Sequence, residues 1–309
     1  MADYHRGEAA VQDRAGLLDH AKSSLGAIND AIPEIAAAFL AEQPMIVVGG
    51  TDTTGRIWAT QLTGPPGFLR AATPRVLTIG TLPIPEDPLA HLLTGAGPAG
   101  GAVPLGMIAI EPATRRRMRI NGRAVRDGDG LRVDLDQVIA NCPKYIQKRA
   151  PHTAGPAGGG AGARTVTDSD ALDEAQRRAV RAADTFFIAT ASDRGDTDAS
   201  HRGGNPGFVE VLSPTRLRWP DYTGNAMFLT LGNLALNPAA GIVLPDWATG
   251  STLHLSGTAH TVWDPEETAR VPGAQRLVEF SVEAVREISA ASPLRWSDPA
   301  YSRFNPPVR

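Results

Sequence analysis

The chain has 309 residues, of which 42% are hydrophobic and 20% charged, values typical of a globular protein with one large or two ordinary domains. A formal net charge of −3 provides no general attraction to nucleic acid or to an anionic membrane, and the single cysteine, Cys142, excludes an internal disulfide and a multi-cysteine zinc site. No apolar run reaches the ~20 residues of a membrane helix, and the polar start "MADYHRGEAA" does not resemble a signal peptide, so we expect a cytoplasmic protein.

The first half of the chain begins with helical sequence and continues as short strands. Apolar residues recur at helical spacing within residues 8–41, and Pro33 predicts a break in that pattern. From residue 45 onward, short β-branched runs alternate with Gly, Pro and Asp, which is typical of strands and hairpins. We therefore assign residues 1–42 to an N-terminal helical segment and residues 43–150 to a first β domain.

The second half repeats this order after a low-complexity stretch. Residues 151–166 are rich in Gly, Ala and Pro and are predicted to be a linker. A helix is predicted next, with Asp168 or Ser169 as its N-cap, and strands follow it. The stretch "EETARVPGAQRLVEF", from about residue 265, has a helical pattern. Residues 167–309 are assigned to a second β domain.

An internal repeat relates the two β domains. Residues 45–69 align without gaps to residues 185–209, and residues 106–124 align to residues 241–259. The repeat predicts a duplicated, mostly antiparallel β unit in which a helix precedes each copy. Two copies in one chain can build what would otherwise be a homodimer.

One repeated segment differs between the copies in its polar residues. The second copy reads "ASHRGGNPGFV" and the first reads "ATQLTGPPGFL". Glycine, proline and phenylalanine positions recur in both, which indicates that they shape a hairpin. His201, Arg202 and Gly203 occur in the second copy alone. They are either candidate ligand contacts or the solvated face of that hairpin.

Other motifs carry less information. "GAGPAG" at residues 95–100 fits the dinucleotide fingerprint G-x-G-x-x-G, but helix-like sequence precedes it and strand-like sequence follows, so we predict a flexible loop. The seven histidines are scattered, and we predict no metal site.

Several segments together resemble a known family. "SHRGGNPGF", "DYTGN", "LGNLALNP", "RRRMRINGRA" and "NCPKYIQKR" are similar to the pyridoxamine 5′-phosphate oxidase-like split barrels that bind FMN, and specifically to a fused two-barrel branch. The resemblance implies a mainly β fold with peripheral helices (α+β). It consists of two tandem split β-barrels arranged as an intrachain pseudo-dimer, with a degenerate first barrel. It also implies a flavin at the interface between the barrels. The chain is then either a monomeric pseudo-dimer or a homodimer.

The resemblance also implies the residues of the flavin site. A flavin phosphate needs cations or amide donors, and small residues allow the backbone to approach the ring. Where the oxidase has an Arg-Lys pair, this chain has Leu229 and Thr230, so we expect His201 and Arg202 to meet the phosphate charge. Lys144 and Tyr145 are expected to close the pocket. The predicted cofactor contacts are Ser200, His201, Arg202, Gly203, Tyr222, Asn225, Thr230, Asn233 and Thr252, with Arg117 and Arg119 reaching across from the first half.

The function implied is that of an FMN-dependent oxidoreductase. It would transfer hydride through the flavin to or from a small-molecule substrate, with NAD(P)H as a candidate donor. Deazaflavin is the alternative cofactor. The alternative functions are a non-catalytic flavin, deazaflavin or haem binding protein and a purely structural pseudo-dimer. No catalytic acid or base is identified, although His201, His254 and Tyr222 are titratable residues near the predicted site.

Overall fold

The computed structural model of the chain describes residues 3–95, 101–140, 142–153 and 164–308. The elements of the first half are α1 (Arg6–Arg14), α2 (Leu18–Ser24), β1 (Ile28–Asn29), α3 (Glu34–Glu42), β2 (Met45–Thr51), β3 (Ile57–Thr63), β4 (Leu69–Thr73), β5 (Val76–Ile79), α4 (Ala90–Leu93), β6 (Val103–Glu111), β7 (Arg116–Asp127) and β8 (Gly130–Ala140). Those of the second half are β9 (Pro151–Thr153), β10 (Val166–Ser169), α5 (Glu174–Ala182), β11 (Thr185–Ala191), β12 (Thr197–Gly203), β13 (Glu210–Ser213), β14 (Arg216–Tyr222), α6 (Leu229–Leu236), β15 (Ala239–Pro245), β16 (Thr252–Val262), α7 (Pro265–Ala269), β17 (Ala274–Ile288) and β18 (Leu294–Trp296).

Sixteen of the eighteen strands in the described residues form two antiparallel sheets of eight strands each, and β9 and β18 form a separate two-stranded sheet. The first sheet has the order β3-β2-β6-β7-β8-β5-β4, and the second has the matching order β12-β11-β15-β16-β17-β14-β13. The short strands β1 and β10 pair with β8 and β17, at equivalent places. The predicted fold is therefore confirmed: the chain is mainly β, and two tandem split barrels form an intrachain pseudo-dimer.

The two barrels meet with their backbones in contact. A Cβ atom on Gly106 would lie 2.4 Å from the Cα atom of Asp198 in the opposite barrel. At the equivalent position in the other half, a Cβ atom on Gly241 would lie 2.5 Å from the Cα atom of Trp58. Such distances exclude any side chain, so glycine is required at both positions. The exchange of equivalent contacts is what an approximate twofold axis produces.

Apolar side chains fill each barrel and the interface between them. One buried cluster is centred on Leu40, Ile46 and Leu77 in the first barrel, and another on Phe186, Trp219 and Phe280 in the second. A third cluster takes side chains from both halves, among them Met45, Ile57, Ile108, Phe187, Ala199 and Val243. Burial of apolar surface is the main stabilising term in folding, so this shared cluster holds the barrels together.

The N-terminal helices lie against the second barrel. In α1, a Cβ atom on Gly7 would lie 2.2 Å from the carbonyl oxygen of Gly232, so α1 crosses α6 at very short range. The side chain of Gln12 donates to the carbonyl of Met227 over 3.2 Å. The helix that directly precedes the first barrel is α3, just as α5 precedes the second.

Three local predictions are corrected by the structure. Asp168 and Ser169 lie in β10 rather than at a helix start, and the N-cap of α5 is Asp173, whose side chain accepts from the backbone N–H of Gln176. The helix predicted from residue 265 ends at Ala269, because Gly273 with φ of +75° turns the chain into β17. Within the predicted linker, residues 151–153 form β9, which pairs with β18.

Two further predictions fall on residues that cannot be described. The linker residues 154–163 lie outside the described ranges, as do residues 96–100 of the glycine-rich "GAGPAG" stretch. Within those ranges, no helix combines the length and the apolar character that crossing a membrane requires.

Candidate functional site

A cavity of about 290 Å³ lies at the interface between the barrels, and we call it the arginine cavity. It is bounded by β7 of the first barrel, by β12, β14 and the start of α6 in the second, and by the segment after β8. Four arginines and one lysine line it, opposed by a single lining carboxylate, Asp221, among the described residues. The cationic lining residues are Arg117, Arg119, Lys144, Arg202 and Arg276.

The protonation of His201 is determined by its neighbour. Nη1 of Arg117 lies 2.9 Å from Nδ1 of His201. A guanidinium can only donate, so Nδ1 accepts and the ring proton sits on Nε2. Burial lowers the pKa of His201 well below its usual value, and Arg117 and Arg202 lower it further, so the ring is neutral. Nε2 is buried and has no partner among the described residues, which leaves an N–H group available to a ligand.

Two arginines converge on the hydroxyl of Ser200. Its Oγ accepts from Nη2 of Arg119 over 2.8 Å and from Nη1 of Arg202 over 2.9 Å. Arg119 also pairs with Asp198, at 3.3 Å. Two strands that face each other across the barrel interface, β7 and β12, thus bring cations from both halves to one point.

Arg117 and Arg202 lack a carboxylate partner within 4.0 Å among the described residues. Their Nε atoms are buried and have no hydrogen-bond partner in the described part of the chain. Burial lowers the pKa of Arg117 to about 9, with repulsion from Arg119 and Arg202 as the further causes. Burial also lowers the pKa of Arg202. Since a half-buried guanidinium group without a directly paired carboxylate is costly, the arrangement favours an anionic ligand.

The loop before α6 has a strained backbone. Ala226 and Phe228 both have φ of +58°, a left-handed conformation that is uncommon outside glycine. The backbone N–H of Met227 donates to Oδ1 of Asn225 over 3.2 Å, and the carbonyl of Asn225 accepts from Oγ of Ser24 over 2.8 Å. The loop delivers the first turn of α6, whose N–H groups have no partner inside the helix, to the arginine cavity.

The segment after β8 covers the arginine cavity from the first half of the chain. Tyr145 has φ of +65°, and its carbonyl would lie 2.1 Å from a Cβ atom on Gly203, so glycine is required there. The ring of Tyr145 lies 5.0 Å from that of Tyr222, and its hydroxyl donates to the carbonyl of Thr223 over 3.1 Å. Burial raises the pKa of Tyr222 to about 12, which keeps the phenol protonated and able to donate. Lys144 lines the cavity beside Tyr145.

Nine of the eleven predicted contact residues line this cavity, and two do not. Asn233 faces the opposite side of α6, where its Oδ1 lies 3.1 Å from Nε2 of His5 and its Nδ2 donates to Oγ1 of Thr190 over 3.0 Å. Thr252 lies elsewhere, with its Oγ1 2.8 Å from Nε2 of His254.

The approximate twofold symmetry explains the position of Thr252. Thr252 and His254 on β16 are the repeat equivalents of Arg117 and Arg119 on β7. Because β7 reaches across to the second barrel, β16 reaches across to the first: Nδ1 of His254 donates to the carbonyl of Ala59 over 2.9 Å.

The equivalent position in the first barrel is filled by its own side chains. Gln61 and Leu62 stand where the second copy has His201 and Arg202, and Leu62 is buried in the core of the barrel. The hydroxyl of Thr60 donates to the carboxylate of Asp87, which is also buried. The first-barrel position thus has a buried carboxylate nearby, whereas the arginine cavity has several guanidinium groups. A carboxylate repels an anion, so the two interface sites are chemically different.

Sequence reasoning missed Arg276. This residue lies on β17 directly opposite Asp221 on β14, with Nε 3.6 Å from Oδ2. Its guanidinium lies 4.7 Å from the ring centre of Phe228 and 5.4 Å from that of Trp263. The sequence predicted a helix over this stretch, and a helix does not pair with β14. Only the strand pairing of β14 with β17 places Arg276 beside the "DYTGN" segment.

Comparison with known proteins finds a family model that matches most of the second barrel. Residues 172–295 match the family model of pyridoxamine 5′-phosphate oxidase. A putative pyridoxamine 5′-phosphate oxidase from Lactobacillus delbrueckii is 18% identical, with 38% of this chain and 94% of that chain covered and a TM-score of 0.33. The FAD binding protein from Mycobacterium smegmatis is 13% identical, covering 39% and 99%, with a TM-score of 0.28. HupZ from Group A Streptococcus is 12% identical, covering 36% and 90%, with a TM-score of 0.30. A search of curated proteins finds no match to the chain.

Proposed function

We propose that the chain binds a flavin in the arginine cavity, and that this flavin is FMN, because residues 172–295 match the family model of pyridoxamine 5′-phosphate oxidase. The observation that carries the proposal is the pair Arg117 and Arg202, two half-buried arginines with buried, unpartnered Nε atoms and no paired carboxylate among the described residues. A phosphate monoester supplies the missing negative charge and several acceptor oxygens.

The residues present fit a phosphate group. Arg202 and Arg117 would hold it by charge-assisted hydrogen bonds, and the first N–H groups of α6, near Thr230, would add backbone donors. These donors replace the Arg-Lys pair that the family has at the start of this helix. His201 was expected to share the phosphate charge, but its neutral ring limits it to donating one hydrogen bond through Nε2.

The other lining residues would orient the ring system. Tyr222 remains a protonated donor, and Gly203 permits a backbone to approach closely. Tyr145 lines the arginine cavity and would limit the entry of water to a bound flavin. When bound, the flavin would supply hydride transfer, and this chain's residues would supply binding, orientation and electrostatics.

We further propose that the protein is an FMN-dependent oxidoreductase that acts on a small molecule, with NAD(P)H as the candidate hydride donor. His201 and Tyr222 are both held far from titration near neutral pH, so neither suits a general acid or base. His254 is buried at the other interface site. The lack of a suitable acid or base among these three residues is consistent with a reaction in which the flavin itself transfers the hydride. The alternative is a flavin, deazaflavin or haem carrier without turnover.

The first experiment identifies the small molecule that copurifies with the protein. Absorbance distinguishes flavin, deazaflavin and haem, and mass spectrometry of the released molecule distinguishes FMN from FAD. Anaerobic mixing with NADH or NADPH then tests for reduction. A protein that neither retains nor binds FMN would overturn the proposal, and a bound flavin that no reductant reaches would favour the carrier.

A matched pair of variants tests the location. His201→Ala is expected to weaken FMN binding, because it removes the Nε2 donor and the acceptor of Arg117. Gln61→Ala changes the repeat-equivalent position in the first barrel and is expected to leave FMN affinity unchanged. Equal effects of the two substitutions in a fluorescence titration would contradict the assignment of the site to the second barrel.

A further inference from the structure

A second cavity, of about 330 Å³, lies on the opposite side of Leu229 from the arginine cavity, and we call it the acidic cavity. Residues of the N-terminal segment, β7, β8, the β11–β12 turn and α6 enclose it. Its charged lining is opposite in sign to that of the arginine cavity. The described lining residues include five carboxylates, from Asp3, Glu8, Asp136, Asp196 and Asp198, and a single arginine, Arg123.

The arginine neutralises the exposed part of this lining. Arg123 lies 2.8 Å from Oδ1 of Asp196 and 3.7 Å from Oδ2 of Asp136, and all three side chains are about half exposed. The buried carboxylates, Glu8 and Asp198, lie beyond the reach of this ion pair. Two of the carboxylates that Arg123 does not neutralise thus lie in the buried part of the acidic cavity, where Asp198 pairs with Arg119.

Asp198 is 3% exposed and has one oxygen without a partner. Its Oδ1 receives Nη1 of Arg119 and Nδ2 of Asn121, each at 3.3 Å. Its Oδ2 has no hydrogen bond among the described residues by distance and angle, and the buried hydroxyl of Thr230 lies close enough to counteract the rise that burial causes in the pKa of Asp198. Since a carboxylate oxygen accepts more than one hydrogen bond, Oδ2 can also receive a donor from a ligand.

Asn121 supplies a second open acceptor at the same place. It is 9% exposed, and its Nδ2 lies 3.3 Å from Oδ1 of Asp198 and 3.3 Å from Oε1 of Gln137. The carboxylate of Asp198 accepts only, so the amide nitrogen must face it. Oδ1 of Asn121 is then left without a partner in the described part of the chain.

Glu8 adds a third acidic group to this buried region. Its Oε2 accepts from the backbone N–H of His5 over 2.8 Å as part of the cap of α1. Burial raises the pKa of Glu8 to about 8. A cation in the acidic cavity would offset that cost and stabilise the carboxylate.

The equivalent region of the first half lacks this chemistry. The repeat equivalent of Asp198 is Trp58, a buried residue whose Nε1 donates to Oδ2 of Asp52 over 2.9 Å. The equivalent of Asn121 is Ser256. The fold that the two halves share does not by itself require these acceptors, since the first half has the indole of Trp58 at the position of Asp198.

The structure assigns the acidic cavity as a binding site for an organic cation that carries a primary ammonium group, with Oδ2 of Asp198 and Oδ1 of Asn121 as its acceptors. An ammonium has three N–H donors and no acceptor, which matches two open oxygens beside a further carboxylate. This site is separate from the arginine cavity and goes beyond the proposed flavin function.

Isothermal titration of the purified full chain with 1,4-diaminobutane tests the assignment, at low ionic strength and without added flavin. We expect saturable binding of one molecule per chain, and none with butane-1,4-diol, which has the same length but no charge. Asp198→Asn is expected to weaken the affinity by about ten-fold or more, because it replaces a charged acceptor by a neutral amide. Glu8→Gln is expected to weaken it as well, because it removes the further carboxylate and keeps an oxygen for the backbone N–H of His5.

Asp134→Asn is the matched control. Asp134 lies on β8 outside the acidic cavity and pairs with Arg132 at the surface, so its substitution is expected to leave the affinity unchanged. Glu8→Gln decides the result if Asp198→Asn fails to fold. Absence of saturable binding, equal binding of the diol, or an affinity that Glu8→Gln leaves unchanged would each overturn the assignment. None of these outcomes depends on flavin binding, so the proposed function is tested separately.

Discussion

Substitution of Arg202 by alanine tests the phosphate site most directly. In the protein, Nη1 of Arg202 donates to Oγ of Ser200 over 2.9 Å, while its buried Nε has no partner among the residues that the structure describes. The unpaired Nε can therefore bind a phosphate oxygen without breaking an existing hydrogen bond. A hydrogen bond to a charged group contributes about 1.5–3 kcal/mol.

That contribution corresponds to an increase of about ten- to hundred-fold in the FMN dissociation constant of Arg202→Ala. Arg117 remains in the variant and still offers positive charge, so binding should be weakened rather than abolished. Riboflavin has the same ring system but no phosphate, and its affinity should change little. Fluorescence titration of the ligand-free protein with both compounds measures the difference.

The stability of the ligand-free variant provides an independent check. Burial lowers the pKa of Arg202, and repulsion from Arg119 lowers it further, whereas Asp221 and Asp198 raise it. Since the site carries excess positive charge without a ligand, Arg202→Ala should not lower the melting temperature. Equal weakening of FMN and riboflavin binding, or no change for either compound, would refute a phosphate contact at Arg202.

Three further predictions concern the N-terminal helix and the buried charges. Gly232→Ala should lower the free energy of unfolding by about 1–3 kcal/mol in urea denaturation, because its Cβ atom would lie 2.7 Å from the backbone nitrogen of Glu8, although alanine normally favours a helix. Burial raises the pKa of Glu8 from 4.5 to about 8, so its stabilising contribution is complete below pH 4.5 and is lost as pH rises towards 8. The melting temperature should therefore fall over that range, and Glu8→Gln should flatten the profile; an unchanged profile would contradict the burial argument. Arg149→Ala should cost about 3–5 kcal/mol, because it leaves Asp184 buried without its partner at 2.6 Å. Arg132→Ala, at an exposed ion pair, should cost less than about 1 kcal/mol by the same measurement.

The sequence by itself was sufficient for the architecture. The repeat between residues 45–69 and 185–209 predicted two copies of one β unit, and the two sheets have the same strand order. Comparison of "SHRGG" with its copy "TQLTG" also predicted which half would differ chemically. Such patterns are readable because strand alternation and hairpin glycines depend on residues close together in the chain.

Local sequence was less reliable where distant contacts decide the structure. The pattern around Arg276 predicted a helix, yet pairing with β14 makes it a strand. Asp168 suits a helix cap by type, but β17 recruits it into a sheet, where it pairs with Arg286. Both outcomes depend on partners more than 50 residues away, which no local propensity contains.

The composition of each site was decided by the tertiary structure alone. Alignment of the repeat equates Thr252 with Arg117, and from the sequence both were assigned to one flavin site. In the folded chain, an approximate twofold axis sends each of these strands across to the opposite barrel, so equivalent residues face different sites. The acidic cavity arises in the same way, because the N-terminal segment packs on the second barrel and brings Glu8 towards Asp198. The sequence thus determined which residues carry charge, and the symmetry of the fold determined which of them meet.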